Sequence, residues 1–270
     1  MKAKVLSVIG CGAIGTALVE RVGEKMSGMI SKVVIYDTDA ERSRSLQIKM
    51  KKTAIAGSLH EAVEMADIVV EAASPEAARE VLRLAPPLKK DVMILSVGGI
   101  VGREKLLDEA AKAGITVILP SGAIAGVDAL KAARIAGIDS VTLTTMKPPA
   151  SLKGAPYIAE KGIDIDAIDR ETVIFEGTVS DAVRAFPKNI NVSAVLSLAG
   201  IGPERTKVRI ISSPEYLRNI HEIRVESKAG TFTFRTENVP FPSNPKTSYL
   251  AALSAITALE EYFSPVRIGT

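Results

Sequence analysis

The stretch "VIGCGAIGTALVERV", residues 8–22, decides the fold. It sets three glycines at the G-x-G-x-x-G spacing, between an apolar β-branched run and a helical pattern. In that context the first glycine permits a tight turn, the second lets a pyrophosphate approach the backbone, and the third lets helix and strand pack closely. The first turn of the helix offers unpaired N–H groups to phosphate. We therefore predict a dinucleotide-binding loop with these cofactor contacts: Gly10, Gly12, Ala13, Ile14 and Gly15.

Asp37 points to the identity of the dinucleotide. It ends the next apolar run, about 20 residues after the loop, where a carboxylate accepts hydrogen bonds from the adenosine ribose. The same charge repels a 2′-phosphate, so we expect NAD, with NADP possible. Arg42 and Arg44 could admit NADP, but they are more simply interpreted as solvated charges on a surface helix.

Three further segments follow predicted strands at the same sheet edge: Ala73–Ser74, "SVGGIVG" (96–102) and "PSGAIAG" (120–126). Small residues at such positions let a ligand pass close to the backbone. We therefore expect these segments, including Ala73 and Ser74, to contact cofactor or substrate.

The pattern of elements changes at Pro120. Before it, short apolar runs alternate with helical stretches, which predicts a parallel sheet covered on both faces. After it, alternating strands predominate, and a two-helix region (178–200) and a final amphipathic helix (246–263) complete the pattern. The prediction is an α/β protein. A Rossmann domain, residues 1–120, is completed by the C-terminal helix segment 246–270, and a second α+β domain, residues 121–245, carries a mostly antiparallel sheet.

Composition excludes several classes of function. The chain has 270 residues, of which 47% are hydrophobic, and a net charge of +3 without a basic run. We expect no nucleic-acid partner, no membrane partner and no metal site. The single cysteine, Cys11, rules out an intramolecular disulfide and favours a reducing compartment, the cytoplasm. Cys11 lies in the phosphate loop, where a small side chain is needed, so we do not expect a catalytic thiol.

The chain contains two histidines. His60 falls in the first turn of a predicted surface helix, where a solvated side chain is expected. His221 opens an alternating strand and shares its apolar face with Ile223 and Val225. It is either a satisfied core histidine or a proton acceptor, because histidine titrates near neutral pH.

Five segments resemble the L-aspartate dehydrogenase family along essentially the whole chain. They are the glycine loop, "PSGAIAG" (120–126), "FPKNINVSAVLSLAG" (186–200), "NIHEIRVES" (219–227) and "ENVPFPSNPKTSYLAALSA" (237–255). The resemblance implies NAD(P)-dependent oxidation of L-aspartate to iminoaspartate, which hydrolyses to oxaloacetate and ammonia. It also implies that this reaction supplies NAD biosynthesis. It implies that His221 is the active-site histidine. It further implies that Ala123 and one asparagine, Asn189 or Asn191, contact the cofactor, and it suggests a homodimer formed through the second domain.

A dicarboxylate substrate needs fixed hydrogen-bond donors. We expect them near the start of the final helix, at Asn244, Lys246, Thr247 and Ser248. Lys147 and Lys188 are further candidates, for which a solvated surface charge is an equal interpretation. Two alternatives stay open: another two-domain oxidoreductase, similar to dihydrodipicolinate reductase or homoserine dehydrogenase, and a non-catalytic NAD sensor.

Overall fold

The computed structural model describes residues 3–50, 53–187, 190–242 and 244–269, without the side chains of Pro245 and Lys246. It divides into two compact units. The first comprises Met1–Pro120 and Ala252–Val266, and the second comprises Ser121–Ala251 and Arg267–Thr270. Among the helices described, none combines the length and the apolar character needed to cross a membrane.

The first unit is a parallel sheet with the strand order β3-β2-β1-β4-β5-β6. Its strands are β1 (Lys4–Ile9), β2 (Ile30–Tyr36), β3 (Thr53–Ile55), β4 (Ile68–Glu71), β5 (Asp91–Ile94) and β6 (Val117–Ile118). Its helices are α1 (Ala13–Lys25), α2 (Ala40–Lys49), α3 (Leu59–Glu64), α4 (Pro75–Leu84) and α5 (Lys105–Ala113). Strand order reverses between β1 and β4, the point at which open α/β sheets bind their ligands. The predicted Rossmann architecture is confirmed.

Local sequence explains how two of these helices begin. Ser74 accepts a hydrogen bond from the Ala77 N–H at 3.2 Å, and Pro75 occupies the first helical turn. Ser58 likewise accepts from the Glu61 N–H at 3.1 Å. The Glu61 carboxylate accepts a hydrogen bond from the Gly57 N–H and not from the N–H of the N-cap residue Ser58, so only half of a capping box is formed.

The second unit contains a mixed sheet with the strand order β11-β10-β7-β9-β8. Its strands are β7 (Ile138–Lys147), β8 (Thr172–Thr178), β9 (Lys207–Ser212), β10 (Asn219–Ser227) and β11 (Gly230–Asn238). Its helices are α6 (Val127–Ala136), α7 (Pro156–Glu160), α8 (Val179–Ala185) and α9 (Asn191–Ala199). Among the described strands of this sheet only β7 and β9 pair in parallel, so the mostly antiparallel sheet is confirmed.

The prediction for the end of the chain needs a correction. The final helix does not begin at residue 246, because Asn244–Ser248 forms strand β13, which pairs with β12 (Pro240–Phe241). Helix α10 follows as Tyr249–Phe263, and only Ala252–Val266 belongs to the first unit, not the whole of 246–270. A proline suits a helix start and an edge strand alike, and the pairing with β12 decides between them.

The core of each unit is built from aliphatic residues. In the first unit, Ala255, Leu259 and Phe263 of α10 join the buried residues of β1, β2 and α1 in one cluster. In the second, α6 and α9 cover one end of the sheet, where Leu143, Ile223 and Val225 are buried. Polar residues occupy the other end of the same sheet face.

Candidate functional site

The glycine loop has the geometry that a dinucleotide requires. Gly10 has a φ of +98°, and a Cβ there would lie 2.6 Å from the Ala72 carbonyl oxygen. A Cβ on Gly15 would lie 1.9 Å from the Gly10 carbonyl oxygen, so this glycine lets α1 pack against β1. A Cβ on Gly12 would meet no atom within 4 Å. The first and third glycines therefore serve the turn and the packing, and the second faces open space, where a pyrophosphate can approach.

The N-terminus of α1 is open to an anion. Gly12 is its N-cap residue and has no side chain to accept a hydrogen bond from the first turn. The next helices differ: Asp39, Ser58 and Ser74 each cap their own helix with a side-chain oxygen. The first-turn N–H groups of α1, at Ala13 and Ile14, therefore remain donors for phosphate at the positive end of the helix dipole.

A cleft of about 760 Å³ lies beside this loop. Gly10, Gly12, Asp37, Ala73 and Ser74 line it, which brings together five of the predicted cofactor contacts. Asp37 Oδ2 accepts the Cys11 N–H at 2.8 Å, and its Oδ1 accepts the Asp39 N–H at 2.9 Å. Each carboxylate oxygen has a second lone pair for a ribose hydroxyl. The residues therefore fit NAD.

Sequence reasoning missed part of the charge around this cleft. Arg79 and Arg83, one turn apart on α4, line the cleft together with Arg42. Arg44 does not line it and pairs with Glu41 on the exposed side of α2. The i, i+4 spacing of Arg79 and Arg83 on the helix that begins at Ser74 was the available signal.

A buried carboxylate, Glu71, shapes the edge of the sheet next to the loop. Glu71 is fully buried at the end of β4 and accepts the N–H groups of Ala73 at 2.8 Å, Ser74 at 2.9 Å and Ser96 at 3.0 Å. The Ser96 hydroxyl adds a bond of 2.9 Å. Burial raises the pKa of this carboxyl, and the donors oppose the rise. Glu71 thus ties the turns after β4 and β5 together. A charged residue ending an apolar run was its sequence signal.

The other two predicted turn segments, 96–102 and 120–126, do not line the first cleft. In 96–102, a Cβ on Gly99 would lie 2.6 Å from the Pro75 carbonyl oxygen, so this glycine is required for packing. None of the residues lining the first cleft comes from this segment or from 120–126. Cys11 is buried, and burial raises the pKa of its thiol, as expected for a residue that is not a nucleophile.

His221 lies at the polar end of the second unit's sheet, on the buried face, as its alternation with Ile223 and Val225 predicted. Its side chain is 7% exposed, and its Nδ1 lies 3.0 Å from the Thr145 hydroxyl on β7, the residue directly opposite. Burial, with the nearby Lys147 cation adding to it, lowers the pKa of His221 to about 3. The imidazole is therefore neutral at physiological pH and can accept a proton. His60, by contrast, is exposed and lies 3.3 Å from Glu64, as a solvated histidine should.

Ala123 is held beside β11, the strand that pairs with β10. Its carbonyl oxygen accepts a hydrogen bond from the Thr236 hydroxyl at 3.0 Å and from the Asn238 side-chain amide at 3.1 Å. Thr236 is the β11 residue opposite His221. The fold therefore fixes Ala123, which lies far away in sequence, close to His221. Asn191 is exposed at the first position of α9, and the competing candidate Asn189 lies outside the described residues.

A second pocket, of about 690 Å³, opens at this end of the second unit. Thr247 and Ser248 line it together with Lys147, so two of the predicted substrate contacts meet there. Asn244 is not among the lining residues and donates to the Thr247 hydroxyl at 3.1 Å. The side chain of Lys246, and Lys188 as a whole, lie outside the described residues. Across the described part of the chain no cluster of residues suits a metal ion.

The first unit has an open glycine loop with the Asp37 carboxylate beside it, and the second has a neutral, buried histidine and a cationic pocket. These features define an oxidoreductase that uses NAD or NADP. A family model for the C-terminal part of aspartate dehydrogenase matches residues 128–262, and a model for the NAD-binding domain of homoserine dehydrogenase matches residues 10–120. An L-aspartate dehydrogenase of Methanococcoides burtonii is 48% identical, with 98% of this chain and 99% of that protein aligned. The chain belongs to the L-aspartate dehydrogenase family.

Further relatives agree with this assignment. An L-aspartate dehydrogenase of Nitrosopumilus maritimus is 41% identical over 99% of this chain and all of that protein. The crystal structure of aspartate dehydrogenase from Thermotoga maritima superposes with a TM-score of 0.77 at 30% identity, covering 98% of this chain and 99% of that one. A homoserine dehydrogenase from Thiobacillus denitrificans has a TM-score of 0.61 at 14% identity, covering 99% of this chain and 76% of that one, and it shares the fold alone.

Proposed function

We propose that this protein oxidises L-aspartate to iminoaspartate with NAD, and that His221 is the base. The observation that carries the proposal is the neutral, buried imidazole of His221, fixed by Thr145 at the polar end of the sheet. Hydrolysis of the imine then yields oxaloacetate and ammonia. Relatives of this chain that carry the name L-aspartate dehydrogenase support this choice of substrate.

Base catalysis requires the neutral form of His221, and burial keeps the imidazole in that form. Oxidation at the α-carbon requires that a proton leave the substrate ammonium, and hydrolysis requires that one leave the attacking water. A neutral imidazole accepts either proton. When Nδ1–H donates to the Thr145 hydroxyl, the lone pair at Nε2 is free to take it. Thr145 thus holds the ring orientation, and in this tautomer it leaves Nε2 as the proton acceptor.

The first unit supplies the cofactor site. Gly12, Ala13 and Ile14 present backbone N–H groups for the pyrophosphate, Gly10 and Gly15 shape the loop, and Asp37 accepts the ribose hydroxyls. When bound, NAD supplies the hydride acceptor. The carboxylate of Asp37 disfavours the 2′-phosphate of NADP by charge repulsion, so we propose a preference for NAD.

The second unit supplies the remaining contacts. The hydroxyls of Thr247 and Ser248 point to hydrogen bonds with the substrate carboxylates, and Asn244 orients the Thr247 hydroxyl. We assign Ala123 to the cofactor on the family resemblance, and the hydrogen bonds from Thr236 and Asn238 to its carbonyl oxygen hold it in place near His221. Asn189, Asn191 and Lys246 complete the proposed contacts.

Replacing His221 by asparagine tests the catalytic assignment. Asparagine keeps polarity and approximate size, so the fold should persist, whereas kcat for L-aspartate should fall about 10²- to 10⁴-fold. The measurement is NADH formation at 340 nm, with calorimetric titration of NAD as a control that should not change. Full activity in this variant would make His221 a structural histidine. If the wild-type protein binds NAD but never forms NADH from L-aspartate, the sensor alternative replaces the enzyme.

We propose a homodimer formed through the second unit, a cytoplasmic location, and a supply of iminoaspartate to NAD biosynthesis. The free, buried Cys11 suits a reducing compartment. Light scattering during size-exclusion chromatography tests the dimer, since a monomeric mass at micromolar concentration would exclude it.

A further inference from the structure

Lys147 is a buried cation. Its side chain is only 5% exposed at the end of β7, and it lines the second pocket. Taking an ammonium group out of water is costly unless an anion pairs with it. Among the described residues, no carboxylate lies within ion-pair distance of Lys147, and burial alone lowers the pKa of its ammonium to about 8. The fold therefore keeps an uncompensated charge at this position.

The register of the sheet brings this charge near the proposed base. His221 is directly opposite Thr145, and Lys147 lies two residues further along the same strand and on the same face. Diagonal neighbours of this kind are roughly 7–8 Å apart at Cα. The Lys147 cation accordingly lowers the pKa of His221. A group bound by Lys147 would lie within reach of the imidazole.

The pocket has the charge of an anion site. Its lining includes three cations, Lys147, Lys153 and Arg218, and no described aspartate or glutamate. Two of the cations are exposed and already paired: Lys153 with Asp166 at 2.6 Å, and Arg218 with Glu237 at 3.9 Å. Of the three, only Lys147 is buried and lacks a described anion.

We propose that Lys147 binds a carboxylate of the substrate in this pocket, with the hydroxyls of Thr247 and Ser248 as neighbouring donors. This inference rests on the proposed function, whose substrate carries two carboxylates. It explains why a buried charge is retained: the anion that compensates it arrives with the substrate. Once the carboxylate is bound, it also offsets the effect of the Lys147 cation on His221, so that the base becomes stronger when substrate is present.

The test compares Lys147→Met with Lys153→Met, a matched change of an exposed lysine in the same pocket. Methionine keeps most of the length of the side chain and removes the charge together with the hydrogen-bond donors. KM for L-aspartate should rise about 30-fold or more in Lys147→Met, the equivalent of about 2 kcal/mol, and less than about threefold in Lys153→Met. Succinate, a dicarboxylate without an amine, should raise the Tm of the wild type and of Lys153→Met but not that of Lys147→Met.

Folding and binding can be separated. Because the substitution removes a buried charge, Lys147→Met without ligand should melt at or above the wild-type Tm. Lys147→Gln, which keeps a donor but no charge, should show the same loss of affinity. If both variants retain wild-type KM and the response to succinate, the inference is wrong while the proposed function stands. If the wild type does not oxidise L-aspartate, the proposed function fails, and the succinate response still decides whether Lys147 binds a carboxylate.

Discussion

His221 should make this protein less stable in acid. The pKa of its imidazole is about 3 in the folded chain, against an ordinary value of 6.5, because burial and the Lys147 cation oppose protonation. The unfolded chain binds this proton below pH 6.5 and the folded chain does not. A depressed pKa therefore gives stability that is present above pH 6.5 and lost as the pH falls toward 3.

The size of the effect follows from the same numbers. Each pH unit between the two pKa values changes the free energy of unfolding by 1.36 kcal/mol. Between pH 6.5 and pH 4, the titration of His221 should therefore lower the free energy of unfolding by about 3 kcal/mol. The figure applies to a group that is almost completely buried, and no carboxylate among the described residues acts on this imidazole to reduce it.

The assay is urea unfolding of the wild type, His221→Asn and His60→Asn at several pH values from 7 to 4. Asparagine cannot titrate, and it can still form a hydrogen bond with Thr145. The wild type should lose about 3 kcal/mol more than His221→Asn over this range, and His60→Asn should follow the wild type, because His60 is exposed. A difference between wild type and His221→Asn that does not depend on pH would refute the reasoning.

Three further predictions concern the first unit. Gly12→Val should fold normally, because its Cβ meets no atom, yet calorimetry should show NAD binding lost; unchanged affinity would contradict the loop assignment. Asp37→Asn should lower the NAD/NADP ratio of kcat/KM, less so in high salt, and an unaltered ratio would count against charge repulsion. Glu71→Ala should lower the free energy of unfolding by about 3 kcal/mol and weaken NAD binding. Glu71→Gln keeps one acceptor oxygen and should lower the free energy of unfolding by less than half as much. Equal losses in the two variants would rule out the explanation by hydrogen bonds.

Much of this fold could be predicted from local sequence. The turn after β1 needs a positive φ at Gly10 and close packing of Gly15 against the Gly10 backbone. A tight turn from a strand into a helix makes the same requirements in other dinucleotide-binding loops, so the glycines can be recognised from their spacing. The two-residue period of β10 likewise placed His221 on the buried face before any neighbour was known. Backbone geometry and side-chain period act over a few residues, so such features are readable from sequence alone.

Other features depend on residues that lie far apart in the chain. The sequence pattern predicts a helix from residue 246, yet residues 246–248 belong to strand β13 because β12 pairs with it. Glu71 could not be recognised as the tie between two turns, since its partner Ser96 belongs to another strand end.

By itself, the sequence determined the glycine loop, the order of strands and helices, and the family to which the chain belongs. Tertiary structure alone decided which groups are buried and what faces them. Thr145 and His221 form a hydrogen bond although they lie 76 residues apart in the chain, and Asn238 and Ala123 do so at a separation of 115 residues. The consequence of the Lys147 charge depends on the sheet, because burial there takes the ammonium out of water and no described carboxylate pairs with it. Solvation and pairing belong to the packed structure, and for that reason the protonation states of this site could not be derived from local pattern.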